Sequence, residues 1–161
     1  MLPLDVLKLD HVAVATWDVR NQVVLLTDVL GARFVDGGDQ QPAGFRWLQF
    51  TVGGGKVEVL EPLHRDGFLY RFLTRRGEGL HHVTFYVPDL EAAIPELTAA
   101  GYEPVDADLT HEGWKEAFLH PRDTSGVMIQ LAQVPTIDDP LEPPRSLASF
   151  LAERPGLRPD A

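Results

Sequence analysis

An internal repeat of about 70 residues constrains the fold of this chain more than any other feature of its sequence. Matching residues recur 70 or 71 positions later in three pairs: His11 and His82, Asp18 and Asp89, and Gly31 and Gly101. A fourth pair, Glu58 and Gln130, is 72 positions apart and lies in similar apolar segments that end each half. Such regular offsets predict a duplicated structural module.

Each half of the repeat shows the same order of predicted elements. The apolar runs 9–15 and 80–87 predict strands. Asp18 and Asp89 are typical helix N-caps and Gly31 and Gly101 typical stops, so a helix is predicted between each pair, despite Pro95 in the second. Three short strands then follow in each half, namely RFV, FRWLQFTV and KVEVLEP in the first, and EPV, WKEAFLH and GVMIQLA in the second. Each half is therefore predicted to be β-α-β-β-β.

These elements predict an α+β fold in which two modules, about 7–75 and about 78–135, share one sheet. We expect one curved, eight-stranded mixed sheet, an incomplete barrel around a central cavity, with two helices on its convex side. Residues 1–135 would form a single domain, and each half alone would expose a sheet edge and be unstable. Residues 136–161 form a proline-rich tail, in which SLASFLAER predicts a short helix. A packing arm or a disordered end is favoured there over a functional lid.

Charge and composition narrow the classes of function. The net charge of -10 argues against a general nucleic-acid binder, which needs clustered Lys and Arg. No apolar run reaches the length of a membrane span, and MLPLDVLKLD lacks the features of a signal peptide, so a cytoplasmic protein is expected. Because the chain has no cysteine, any metal must be held by His, Asp, Glu, Gln or water.

Strand alternation places four residues of metal-ligand type on equivalent faces of the two modules. His11 and His82 alternate with bulkier residues that should pack on the helices, and Glu58 and Gln130 do the same in the last strand of each half. If the modules join about a pseudo-twofold axis, all four can converge in one cavity. Buried imidazoles and a carboxylate need a partner, and a divalent cation would satisfy them. Hydrogen-bonded core histidines and a solvated Glu58 are the competing interpretations of the same residues.

Several segments resemble the vicinal-oxygen-chelate superfamily, which includes glyoxalases, bleomycin-resistance proteins and dioxygenases, and are most similar to its methylmalonyl-CoA epimerases. They are DHVAVAT from Asp10, GLHHVTFYV from Gly79, EVLEPLHRDGFLYRFL from Glu58 and FLHPRDTSGVMIQL from Phe118. The resemblance covers roughly residues 7–134 and stops before the tail. It implies a metal-dependent isomerase or epimerase that acts through an enolate on an acyl-CoA-type carbonyl substrate.

The resemblance also implies roles for individual residues. His11 and His82 match the two metal histidines of the epimerases, Glu58 matches a ligand position of the first half, and Gln130 stands where those enzymes carry a ligating glutamate. Gln130 cannot act as a base, and the loop expected at DGGDQQPAGF offers Asp39 but no glutamate. Glu58 is therefore the predicted catalytic proton carrier.

The metal, the substrate and two other functions stay open at this point. Co, Mn, Ni or Zn would suit two imidazoles and two oxygens. A small-molecule substrate is expected, with Arg and Lys side chains available for phosphate contacts or as surface charge, and a homodimer fits the resemblance. A glyoxalase I type lyase and a non-catalytic small-molecule-binding protein are the alternatives. Extradiol dioxygenases do not fit, because they place all iron ligands in one module.

Overall fold

The computed structural model describes residues 3–153 and 157, and its eight strands form one mixed sheet. The strand order is β2-β3-β4-β1-β5-β8-β7-β6, which confirms the predicted α+β fold class. The strands are β1 (Lys8–Ala15), β2 (Arg33–Gln40), β3 (Phe45–Val52), β4 (Gly55–Pro62), β5 (Gly79–Tyr86), β6 (Val105–Asp108), β7 (Lys115–Leu119) and β8 (Met128–Gln133).

The described helices follow the repeat, with two additions. They are α1 (Val19–Val24), continued by a π-helical segment (Leu25–Val29), α2 (Phe68–Arg76), α3 (Leu90–Ala99) and α4 (Leu147–Ala152), besides a 3-10 turn (Pro121–Asp123). The order β1-α1-β2-β3-β4 recurs as β5-α3-β6-β7-β8. No helix in this part of the chain is long and apolar enough to cross a membrane.

The predicted helix ends are confirmed in both halves. The Asp18 carboxylate accepts a hydrogen bond from the Arg20 amide, and the Asp89 carboxylate accepts one from the Ala92 amide. Gly31 and Gly101 have φ values of +67° and +90°, which a residue with a side chain adopts at a steric cost. Asp and Gly at the same offsets therefore delimit the helical segment twice.

Helix α2 was missed by the sequence analysis. Leu69 and Leu73, one helical turn apart, are buried and pack with Ala13, Ala15 and Leu60. Ala13 and Ala15 have no exposed surface, because α2 packs over this part of β1.

Two strand boundaries also differ from the prediction. Strand β2 continues beyond RFV to Gln40, and its register pairs Gly37 with Leu48 and Asp39 with Arg46. A Cβ on Gly37 would lie 2.7 Å from Cδ2 of Leu48, so the glycine leaves room for the Leu48 side chain. In the second half, EPV ends where β6 begins, at Val105. Glycine-rich and acidic segments have low strand propensity, and backbone pairing overrides it here.

Backbone contacts divide the chain into two compact units whose boundaries differ from those of the repeat. The first unit combines the described residues up to Val12 with His81–Asp138, and the second combines Ala13–Leu80 with the described residues from Asp139 onward. Strand β1 thus contributes to both units. The single-domain boundary at residue 135 remains a prediction.

Each unit has its own apolar core. In the first, Val87, Leu90 and Leu131 pack with residues of α3 and β7. In the second, Leu48, Phe50, Val59 and the first helical segment enclose Phe150 of α4. Phe150 is 1% exposed, so the short helix predicted in the tail exists and packs as an arm against β3 and β4.

Candidate functional site

Two predicted ligand histidines lie next to each other in the first unit. His11 on β1 and His82 on β5 are 1% and 5% exposed, and their ring centroids are 5.6 Å apart in an edge-to-face arrangement. Strand alternation brings both side chains to the same face, as the repeat predicted. Both imidazoles are thus removed from water and pack against each other.

Each of these imidazoles is oriented by its sequence neighbour. Nδ1 of His11 lies 2.7 Å from Oδ2 of Asp10, whose other oxygen is 2.9 Å from Nζ of Lys8. Nδ1 of His82 lies 2.8 Å from Nδ1 of His81, so one of these nitrogens donates and the other accepts. Carboxylate support at one imidazole nitrogen is typical of histidines that ligate through the other. The contact that orients His82 was not predicted from the sequence.

A chain of hydrogen bonds joins His11 to the third predicted ligand of the same unit, Gln130. The Thr84 hydroxyl lies 2.9 Å from Nε2 of His11 and donates to Oε1 of Gln130 at 2.5 Å. Nε2 of Gln130 in turn donates to Oε2 of Glu116 at 2.7 Å, and the Trp114 indole N–H donates to that same oxygen at 2.7 Å. The structure therefore brings His11, His82 and Gln130 together, with Thr84 and Glu116 as partners that the sequence analysis missed.

Strand alternation together with the register of β7 and β8 explains the position of Glu116. In β7, Phe118 pairs directly with Gln130, and Glu116 is two residues earlier on the same face. The motif WKEAFLH predicts a strand but not which strand pairs with it. Without the register, however, nothing in the sequence says that Glu116 is the carboxylate beside the substituted amide.

The fourth predicted ligand, Glu58, belongs to the second unit. Glu58 on β4 is directly opposite Gln49 on β3, and Nε2 of Gln49 donates to Oε2 of Glu58 at 2.8 Å. Both side chains are 7% exposed. The neighbouring Lys56 on the same face bonds to Asp139 at the start of the tail. Glu58 is thus a buried carboxylate whose orientation is set by an amide, not the solvated strand residue of the alternative interpretation.

Asp39, the acid expected in a loop, has a structural partner. It lies in β2, and the Arg46 guanidinium donates to its two oxygens at 2.7 and 2.9 Å. This hydrogen bonding lowers the pKa of Asp39 below its ordinary value. The same guanidinium donates to the Phe150 carbonyl and to Glu153, so it ties α4 to the sheet. These contacts make Asp39 part of the tail attachment and a poor candidate for proton transfer.

A second buried carboxylate of β4, Glu61, has a strongly shifted pKa. Glu61 is 1% exposed and accepts a hydrogen bond from the Val19 amide at 3.1 Å. Burial raises its pKa to about 7, while that amide and the charge of Arg46 act in the opposite direction. By alternation Glu61 lies on the strand face opposite Glu58, together with the core residues Val57 and Val59.

The cationic residues considered for phosphate contacts are mostly at the surface. Those with exposed side chains are Arg65, Arg71, Arg75, Arg76 and Arg122, and Lys115 is partly buried. Three of the arginines lie on α2. This distribution is compatible with a phosphate-binding surface and with ordinary surface charge.

Comparison with known proteins identifies relatives over most of the chain. The model of the Glyoxalase/Bleomycin resistance protein/Dioxygenase superfamily matches residues 10–118. An uncharacterized protein of Bacillus subtilis is 29% identical, over 78% of this chain and 91% of that protein. The ethylmalonyl-CoA/methylmalonyl-CoA epimerase of Cereibacter sphaeroides is 30% identical, over 79% of this chain and 98% of that enzyme. The crystal structure of methylmalonyl-CoA epimerase from Mycobacterium tuberculosis superposes with a TM-score of 0.74 at 26% identity, over 84% and 93% of the two chains.

Proposed function

The chain belongs to the glyoxalase/bleomycin resistance protein/dioxygenase superfamily, and we propose that within it the protein is a metal-dependent epimerase or isomerase. Its homologues include methylmalonyl-CoA epimerases, which is the basis for an acyl-CoA thioester as the substrate class. The observation that carries the proposal is the pair of adjacent buried imidazoles, His11 and His82, together with the buried carboxylate Glu58.

The proposed ligands of one divalent ion are His11, Glu58, His82 and Gln130. Two observations fit a cation. The Asp10 carboxylate supports Nδ1 of His11 in the manner of metal-bound histidines, and Glu58 is a buried carboxylate whose desolvation cost a cation would offset. Nitrogen and oxygen donors of this kind suit Co, Mn, Ni or Zn. A bound ion would supply positive charge that stabilises a developing enolate oxygen.

The proposed site has a carboxylate on one side and an amide on the other, so the two proton transfers of an epimerisation should differ in rate. Epimerisation removes an acidic α-proton from one face of the substrate and returns a proton on the other. Glu58 is a carboxylate and is the proposed carrier on one face. Gln130 has no proton to lose at neutral pH, so its role is to present an oxygen. On the opposite face, proton return would depend on another group or on water, and it would be slower.

Metal content tests the ligand assignment directly. Protein purified without added metal should contain about one divalent ion per chain by elemental analysis, and His82→Ala should remove it. His111→Ala is the matched control, because the His111 side chain is exposed and is not among the predicted ligands. Stoichiometric metal in His82→Ala with unchanged affinity would contradict the assignment.

Isotope exchange tests the reaction. Each epimer of methylmalonyl-CoA, incubated with the protein in deuterated water, should take up deuterium at the α-carbon faster than the centre inverts. Incorporation that depends on added metal supports the proposal. No exchange with any acyl-CoA thioester would contradict it and favour the lyase or the binding protein. The cytoplasmic location and the homodimer stay predictions, the latter testable by light scattering.

A further inference from the structure

The Glu116 carboxylate receives two donors at one oxygen. Nε2 of Gln130 and Nε1 of Trp114 are each 2.7 Å from Oε2 of Glu116. Gln130 is 5% exposed, so its amide has little access to water as an alternative partner. These three residues lie in one compact unit together with His11 and His82.

This arrangement fixes which end of the Gln130 amide faces the histidines. A carboxylate can only accept hydrogen bonds, so the NH₂ end of the amide must face Glu116. The carbonyl oxygen then faces Thr84, whose hydroxyl donates to it at 2.5 Å and lies 2.9 Å from Nε2 of His11. The reversed amide would place an acceptor against the carboxylate, which is unfavourable at a buried position.

We propose that Glu116 is a positioning residue that turns the Gln130 amide so that its oxygen, and not its NH₂ group, is presented to the metal site. The inference rests on the proposed function, in which Gln130 supplies an oxygen ligand. An amide has one ligating end, because its NH₂ group has no lone pair available for a cation. A glutamine at this position can therefore ligate only when its amide is held with the oxygen toward the metal site.

A carboxylate at the same position would have no such requirement. The resemblance places a ligating glutamate where this chain has Gln130, and either oxygen of a glutamate can ligate. A carboxylate there would also be repelled by Glu116 across a hydrogen-bonding distance. Gln130 and Glu116 thus form a matched pair, in which the acid on β7 fits the amide on β8.

The test compares Glu116→Leu with Glu116→Gln. The leucine variant removes the acceptor, and titration calorimetry with Co²⁺ should show affinity weakened about 10-fold or more, the size expected for loss of a ligand-orienting contact. In Glu116→Gln the new amide oxygen can accept from both Trp114 and Gln130, so the affinity should stay within about threefold of the parent. Equal Co²⁺ affinity in the leucine variant, or an equal loss in both variants, would overturn the proposal.

A second measurement on the metal-free protein separates this inference from the proposed function. The side-chain NH₂ signals of Gln130 in ¹⁵N-labelled protein should show a hydrogen-bonded proton in the parent and in Glu116→Gln. They should lose it in Glu116→Leu, with circular dichroism confirming that the variant is folded. Unchanged signals in the leucine variant would contradict the positioning role. Failure of the parent to bind Co²⁺, with the amide signals behaving as expected, would reject the metal-dependent function while the amide orientation held.

Discussion

The two halves of the molecule carry the same pair of side chains with the roles exchanged. In the first half the last strand, β4, bears the carboxylate Glu58, and the strand before it bears the amide Gln49. In the second half the last strand, β8, bears the amide Gln130, and the strand before it bears the carboxylate Glu116. The donor-to-acceptor distances are 2.8 and 2.7 Å. Both halves thus contain a Glu–Gln contact between their last two strands, while the charge lies on a different strand in each.

Glu58 and Gln130 occupy equivalent positions of the repeat, but their hydrogen-bond partners do not. Gln49 and Glu58 are directly opposite in register, whereas Glu116 is diagonal to Gln130. The first pair puts its charge at the predicted ligand position, and the second keeps its charge one strand away. A site built from both would have a carboxylate ligand from one half only, which predicts unequal effects when each acid is neutralised.

The largest expected effect is that of Glu58→Gln. This change replaces the proposed proton carrier by a group that cannot accept the α-proton, so exchange should fall about 100-fold or more. Metal affinity should fall as well, because an anionic ligand becomes neutral. The measurement is deuterium incorporation into methylmalonyl-CoA at saturating metal, beside calorimetric titration of the same metal.

Glu116→Gln is the matched control for that experiment, since it neutralises the other acid of the comparison. It should reduce exchange only a few-fold, because it retains an oxygen acceptor for Gln130. Comparable losses in the two variants would mean that the halves contribute equally. Rapid inversion that persists in Glu58→Gln would show that the base is another residue.

The next largest effect is expected from Glu61, on the pH dependence of stability, and it distinguishes this carboxylate from Glu58 on the same strand. Because burial raises the pKa of Glu61 from 4.5 to about 7, the folded chain binds this proton more tightly than the unfolded chain. The stabilising contribution is therefore present below pH 4.5 and is lost as the pH rises through 7. A shift of this size corresponds to about 3 kcal/mol in the free energy of unfolding.

Glu61→Gln should remove this loss, since its side chain stays neutral. Relative to the parent, the variant should gain about 3 kcal/mol between pH 4.5 and 8 in urea unfolding. Glu103→Gln, at an exposed acid, is the control and should show no such gain. If the stability difference between Glu61→Gln and the parent did not change with pH, Glu61 would not titrate in this window.

Much of the fold was predictable because the repeat supplied each local signal twice. Asp18 and Asp89 cap the helices, and Gly53 and Gly54, both with positive φ, form the hairpin turn between β3 and β4. Helix α2 lies between the repeats, where no second copy could reveal it. Asp39 was placed in a loop because strand propensity ignores its pairing with Arg46.

The candidate site was predictable in its residue types but not in its hydrogen bonds. Period-two alternation was enough to place His11 and His82 on one face. The partners that orient the predicted ligands, such as Gln49 and Glu116, come from neighbouring strands, so the register decides which residues meet. A single sequence carries little information about register, and for that reason the exchanged pairs emerged only from the structure.

An effect of intermediate size on the free energy of unfolding is expected when the acid and the amide of the second pair, Glu116 and Gln130, are exchanged. Gln130→Glu places two carboxylates side by side, so it should destabilise the metal-free protein by about 1–3 kcal/mol. Adding Glu116→Gln should recover most of this loss, because the pair then matches the arrangement of Gln49 and Glu58. Urea unfolding of the two single variants and the double variant gives the coupling energy. Additive effects would show that the two positions are independent.

The smallest expected effect concerns the second donor to Glu116. Trp114→Phe removes the indole N–H but keeps an aromatic ring near Tyr86, whose ring centroid is 6.0 Å from that of Trp114. Gln130 still donates to Glu116, so Co²⁺ affinity should change less than about threefold, and stability should fall by about 1 kcal/mol. In the Glu116→Gln background the same substitution should weaken Co²⁺ affinity more. Without the indole N–H, the new amide can turn its NH₂ group toward Gln130, and the Gln130 amide then loses its fixed orientation. Calorimetry on the four proteins of this cycle measures the difference. Equal effects of Trp114→Phe in both backgrounds would show that the indole only packs and does not orient the side chain at position 116.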